Sequence, residues 1–224
     1  MIRVNQAAPL PNEAAGLPPG IRSWRDGRVP QEALRDYELI VIGCSMGGMN
    51  ALKSIFESLT REFPLPIIVA QHRYRTSSDS LPGYFRRFVD LEVVDAADKQ
   101  YIRPGSIYFA PADYHLLVER GEMSLSVDDA VAYSRPSIDV LFESAADAYA
   151  TSLIAVVLTG ANADGAEGAA RIRQRGGLVI AQDPSTAESP VMPQAAINRG
   201  VDRILPLERI GPYLVELSRK DHDG

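Results

Sequence analysis

Three residues stand where a nucleophile, a base and an orienting acid could act together. Ser45 lies in Gly43-Cys44-Ser45-Met46-Gly47-Gly48, a glycine-flanked turn directly after four apolar residues at 39–42. His72 closes a second apolar run at 67–70, and Asp164 sits in a loop of small residues after a third run at 153–158. A serine hydroxyl at a strand-to-helix turn is exposed beside backbone N–H groups and the positive helix end, which suits a nucleophile and the oxyanion it generates. Each residue also has a structural reading. Ser45 fits a tight turn or a phosphate-cradling loop, His72 a strand end satisfied by a carbonyl, and Asp164 the N-cap of the following helix. The structural readings weaken jointly, because each must place a triad-type residue at one edge independently. The remaining histidines are His115, at the start of a hairpin pattern, and His222, in the charged tail. Cys44, the competing nucleophile, reads as a small buried packing residue.

The elements that must position these residues alternate between strand and helix. Apolar runs at 39–42, 67–70, 106–110, 153–158 and 178–181 suit strands buried on both faces. Val93-Val94 and residues 203–205 read as short strands. Helical periodicity opens at Met49, Pro136-Ser137 starts a helix with Asp139 in its first turn, and Ser189-Pro190 starts another closed by Gly200. Residues 115–119 and 123–127 flank Arg120-Gly121-Glu122 as a hairpin. The pattern predicts an α/β fold: a doubly wound, mainly parallel sheet flanked by helices, with a β-hairpin insertion. In such a sheet the chemistry gathers outside the carboxyl ends of the strands, where all three residues fall.

Composition narrows the function classes. A net charge of −6 argues against a general nucleic-acid binder. One cysteine leaves no disulfide framework and no cysteine-based metal cluster, and three scattered histidines argue against a multi-histidine metal site. The N-terminus lacks an apolar signal core and no apolar run approaches the length of a membrane span, so the chain reads as cytoplasmic. Residues 1–37, with prolines at 9, 11, 18, 19 and 30, read as an extended or weakly ordered leader before a domain at 38–218 and a charged tail at 219–224.

Seven motifs then occur in order: Ile42-Gly43-Cys44-Ser45-Met46-Gly47-Gly48, Val69-Ala70-Gln71-His72, Ile107-Tyr108-Phe109-Ala110-Pro111, Arg135-Pro136-Ser137-Ile138-Asp139-Val140-Leu141-Phe142, Leu158-Thr159-Gly160 through Asp164-Gly165, Ala181-Gln182-Asp183 and Met192-Pro193. Together they closely resemble the catalytic domain of the chemotaxis protein-glutamate methylesterases (CheB type) over roughly residues 38–217. The resemblance implies that Ser45, His72 and Asp164 form a triad hydrolysing glutamate methyl esters on chemoreceptors or related signalling proteins, with glutamine deamidation in some members. Backbone N–H groups of Met46, Ala161 and Asn162 are the expected oxyanion donors, and no metal or organic cofactor is required.

The departures concern substrate choice more than chemistry. Gly160-Ala161-Asn162 stands where the family usually has Gly-Met-Gly; if position 162 needs positive φ, asparagine is the next most tolerant residue after glycine. Arg73 and Arg75 replace a Met-Pro pair after His72, and a basic rim there could steer an acidic substrate. The family's upstream receiver domain, about 120 residues, does not fit in 37, so a stand-alone effector or a separate response regulator is expected. The rival reading is a non-catalytic signalling module of the same fold that binds a receptor or a response regulator.

Overall fold

A computed structural model describes residues 35–73 and 80–219. Arg75, His222 and nearly all of the leader and tail lie outside the described residues. The apolar runs form a seven-stranded, all-parallel sheet of β1 (Leu39–Cys44), β2 (Ile67–Gln71), β3 (Glu92–Asp95), β5 (Ser106–Phe109), β8 (Leu153–Val157), β9 (Leu178–Gln182) and β10 (Arg203–Leu205). Its order is β10-β9-β8-β1-β2-β5-β3. The central strand β1 therefore has β2 on one side and β8 on the other, with Cys44 opposite Gln71 and Gly43 opposite both Ala70 and Val157. The sheet reverses its winding direction at β1 and β8, where a crevice opens beyond the strand ends.

Burial on both faces explains why the strands read as continuous apolar runs rather than alternating ones. Ile40 and Ile42 face one core layer while Leu39 and Val41 face the other. The first layer is closed by α1 (Gly48–Phe56), α2 (Leu81–Phe85) and α6 (Leu207–Leu217). There Phe85 stacks on Phe109 at 5.2 Å and meets Phe56 edge-on. The second is closed by α3 (Ile138–Tyr149), α4 (Ala166–Gln174) and α5 (Val191–Arg199). Tyr37, just ahead of β1, is buried in the first layer.

The expected hairpin is part of a three-stranded antiparallel sheet, β4 (Gln100–Tyr101), β7 (Glu122–Ser126) and β6 (His115–Glu119), in the order β4-β7-β6. Two details differ from the sequence reading. Glu122 pairs with Glu119, so the connection is the two-residue Arg120-Gly121, with Gly121 at φ 82°. β4 was not expected, because two residues, Gln100 and Tyr101, are too few to carry a period. The small sheet lies on α3, where the Val118 N–H donates to Ser144 Oγ at 3.0 Å and the Gly121 N–H to Tyr149 Oη at 3.1 Å. The helix expected from Pro190 begins one residue later, with Pro190 as N-cap.

Helices α3 and α4 touch through Gly168, where an added Cβ would lie 2.5 Å from Phe142 Cβ and 3.1 Å from Asp139 O. Alanine would gain roughly 1 kcal/mol of helix propensity. Both neighbours belong to a packed helix and cannot swing aside, so the overpacking cost of about 1–3 kcal/mol exceeds that gain. Urea titration of Gly168→Ala should show a net loss of roughly 1–2 kcal/mol with an unchanged m-value.

Candidate active site

The turn after β1 is held from both sides. The Ser45 N–H donates to Thr159 O at 2.9 Å, and Ser45 O accepts from the Gly48 N–H and Gln71 Nε2, each at 2.9 Å. Gly47, at φ 78°, is the N-cap of α1, so Ser45 lies one turn ahead of a helix N-terminus. The backbone crosses to the next strand through the His72 N–H, which donates to Cys44 O at 3.1 Å. Parallel pairing thus places Ser45 and His72 on neighbouring chains beyond the ends of β1 and β2.

His72 Nε2 lies 2.7 Å from Asp164 Oδ2, and Asp164 is only 2% exposed. A carboxylate only accepts, so Nε2 carries the proton and Nδ1 keeps its lone pair. Nδ1 is the nitrogen able to take a proton from a nucleophile, and its neighbour in the structure is Ser134 Oγ at 3.5 Å. Among the described residues Ser45 Oγ makes no hydrogen bond, an arrangement common in ligand-free hydrolases whose catalytic contacts tighten on substrate binding.

Asp164 caps a helix, though not the one after it. Its Oδ1 accepts from Ser137 Oγ at 2.9 Å and the Asp139 N–H at 3.0 Å, and its Oδ2 accepts from the Ile138 N–H at 2.8 Å. These donors are the N-cap and first turn of α3, whose positive end faces the carboxylate. Burial alone would raise the Asp164 pKa. The His72 hydrogen bond and the Asp139 and Ile138 N–H groups outweigh burial and hold it below the ordinary carboxylate range. Asp139 moves the other way: burial first, then the charges of Asp164 and Glu143, push it up to about 6, although its Oδ1 accepts the Gly168 N–H at 2.8 Å.

The three expected oxyanion donors differ from their neighbour Gly160. Gly160 spends its N–H on Ser189 O at 3.0 Å, whereas the N–H groups of Met46, Ala161 and Asn162 donate to nothing among the described residues. Asn162 does not adopt positive φ. Its Oδ1 instead accepts the Asp164 N–H at 3.3 Å, an Asx turn that shapes the loop. Arg73 is 8% exposed in its side chain, with its guanidinium 3.8 Å from the Asp95 carboxylate. It lines a cleft of about 350 Å³ shared with His72, Asp113, Tyr133, Ser134 and Arg135.

These features agree with what the chain is similar to. The CheB methylesterase family model matches residues 40–214. This chain belongs to the CheB methylesterase family. A Leptospira interrogans relative, named a putative protein-glutamate methylesterase/protein-glutamine glutaminase, is 43% identical over 188 residues, covering 83% of this chain and 97% of that protein. Protein-glutamate methylesterase FrzG of Myxococcus xanthus is 36% identical over 84% of this chain and 59% of its own length. The crystal structure of the Thermotoga maritima CheB methylesterase catalytic domain superposes with a TM-score of 0.76 at 35% identity, covering 82% of this chain and all of that one.

Within this CheB-family domain the other sequence candidates are structural. Cys44 is fully buried, its thiol donates to Gln71 Oε1 at 3.0 Å, and burial pushes its pKa far up, so no thiolate forms there. His115 is buried, with Nδ1 accepting the Ser137 N–H at 3.2 Å and Nε2 donating to Asp129 O at 3.0 Å; it braces the N-cap of α3. Sequence reasoning missed Gln71, whose amide joins Cys44, Ser45 and His72, and the grip of Ser137 on Asp164. An N-cap serine before Asp139 signals a helix start, but nothing local says which carboxylate it will hold. Among the described residues no three His, Cys, Asp or Glu side chains are grouped to hold a metal ion, and no helix is long and apolar enough to cross a membrane.

Opposite shifts in two neighbouring carboxyls give a pH test. Asp164, depressed, contributes stability above the unfolded value near 4 that is lost as pH falls through its lower folded pKa. Asp139, raised to about 6, carries a folding penalty absent below pH ~4 and fully developed above pH ~6. Asp139→Asn removes that charge and can still accept from Gly168. Its melting temperature should match the parent near pH 4 and exceed it at pH 8; the reverse order would contradict the assigned shift.

Proposed function

We propose that this chain is a serine hydrolase that removes methyl groups from glutamate side chains of chemoreceptor-type signalling proteins in the cytoplasm. The observation that carries the reading is the His72–Asp164 pair, set beside the Ser45 turn where β1, β2 and β8 end together. Ser45 Oγ attacks the ester carbonyl as His72 Nδ1 takes its proton, and the oxyanion is met by the free N–H of Met46 and those of the 161–162 loop. Asp164 holds the Nε2–H tautomer and stabilises the imidazolium. Nδ1–H then protonates the departing methoxide, methanol leaves, and water, deprotonated by Nδ1, hydrolyses the glutamyl ester on Ser45.

A glutamine side chain can follow the same route with ammonia as the leaving group, which fits the second activity in the name of the Leptospira relative. The non-catalytic alternative finds no support in the site, since a binding module has no use for a buried aspartate held by three donors against a histidine.

Methanol release from a methylated chemoreceptor tests the assignment. Ser45→Ala should fold normally and lose about 10⁴-fold or more in kcat/KM, as serine triads do. Cys44→Ala should keep most of the activity, because its buried thiol takes no part. An inactive Cys44→Ala beside an active Ser45→Ala would reverse the choice of nucleophile.

A further inference from the structure

The backbone between the small sheet and α3 makes a closed two-residue turn at the rim of the His72 cleft. The Val131 N–H donates to Ser134 O at 3.2 Å and the Ser134 N–H returns to Val131 O at 2.9 Å. Both residues between them are left-handed, Ala132 at φ 48° and Tyr133 at φ 63°. A turn with positive φ at both central positions favours Asn and Gly, so Ala-Tyr is a strained choice. The Tyr133 ring gains nothing from the fold in return, since the residue is fully exposed at 104%.

The turn is nevertheless rigidly mounted. Next to it, Arg135 binds Asp113 Oδ1 through Nε at 2.9 Å and Nη2 at 2.6 Å, and donates through Nη1 to Val127 O at 2.7 Å and Asp128 O at 2.9 Å. Ser134 Oγ faces the catalytic imidazole at 3.5 Å. Of the seven large apolar side chains exposed among the described residues, Tyr114, Val127, Val131 and Tyr133 gather at this end of the small sheet, and Met46 directly follows Ser45. A methyl ester entering the cleft is too small to reach all of these. Strain maintained at a rigid, solvent-facing position next to the chemistry points to an intermolecular contact.

We infer that the Val131–Ser134 turn docks the protein segment that bears the ester, with the Tyr133 ring packing on apolar side chains flanking the modified residue. The inference rests on the esterase reading of the same site. The turn fixes the backbone, so only the two side-chain torsions of Tyr133 remain to be ordered on contact, and the ring acts on affinity for a protein substrate rather than on the chemical step.

The test compares Tyr133→Ala and Tyr133→Gly with the parent on two substrates, a methylated chemoreceptor domain and p-nitrophenyl acetate. For both variants, kcat/KM on the receptor should fall about tenfold further than on the small ester, mostly through KM. Tyr133→Gly should melt at or above the parent temperature, because glycine accepts positive φ. Equal losses on both substrates would overturn the proposal, and so would lower melting temperatures in both variants. If the parent releases no methanol, the esterase reading fails, and docking is then read from receptor binding by the Ser45→Ala chain with and without Tyr133→Ala. Weaker binding in the double variant supports the turn as a docking element; equal binding overturns it.

Discussion

The carboxylate of Asp164 is buried, charged and held by the start of α3, and the rest of the site depends on how that charge is satisfied. An ionised group removed from water needs several donors to remain ionised. Here the donors are the Ser137 hydroxyl, the N–H groups of Ile138 and Asp139, and His72 Nε2. With its lone pairs engaged, Asp164 cannot turn away, and the imidazole it orients presents Nδ1 to the cleft. One electrostatic constraint thereby sets the histidine tautomer, the entry angle of α3 and the shape of the loop after β8.

Close packing at glycines permits this arrangement. Ile138, the first residue of α3, fills the space where side chains at Gly43 and Gly165 would otherwise sit; added Cβ atoms there would lie 2.3 and 2.5 Å from its Cγ2. The helix can therefore approach the ends of β1 and β8 closely enough for its backbone N–H groups to reach Asp164. Gly43 adjoins the serine turn and Gly165 adjoins the aspartate, so the glycines near the site serve helix placement as well as turn geometry.

Charge is managed differently at the rim. Arg73 meets Asp95 and Arg135 meets Asp113, so both arginines beside His72 are engaged within the domain. Exposed apolar groups are concentrated around the Val131–Ser134 turn, beside the exposed Asp129 that also lines the cleft. For an acidic domain acting on a protein substrate, this divides the labour: a polar, preorganised cleft for the ester and apolar contact outside it.

The sequence alone places Ser45, His72 and Asp164 at strand ends, because each follows a buried apolar run, and small residues make the turns that carry Ser45 and Asp164. Steric preference and periodicity are local, and they survive without knowledge of the neighbours. The same locality made β4 illegible, since Gln100-Tyr101 is a strand only by pairing with β7. Tertiary structure alone decided that β2 and β8 flank β1, that Asp164 binds Nε2, and that its other donors come from residues 137–139, some 25 positions away in the chain. It also decided that Arg73 is paired, that His115 is a brace, and that Tyr133 stands free in solvent. Each of these outcomes depends on which segments pack together, and that is settled by the collective burial of two core layers rather than by any short stretch of residues.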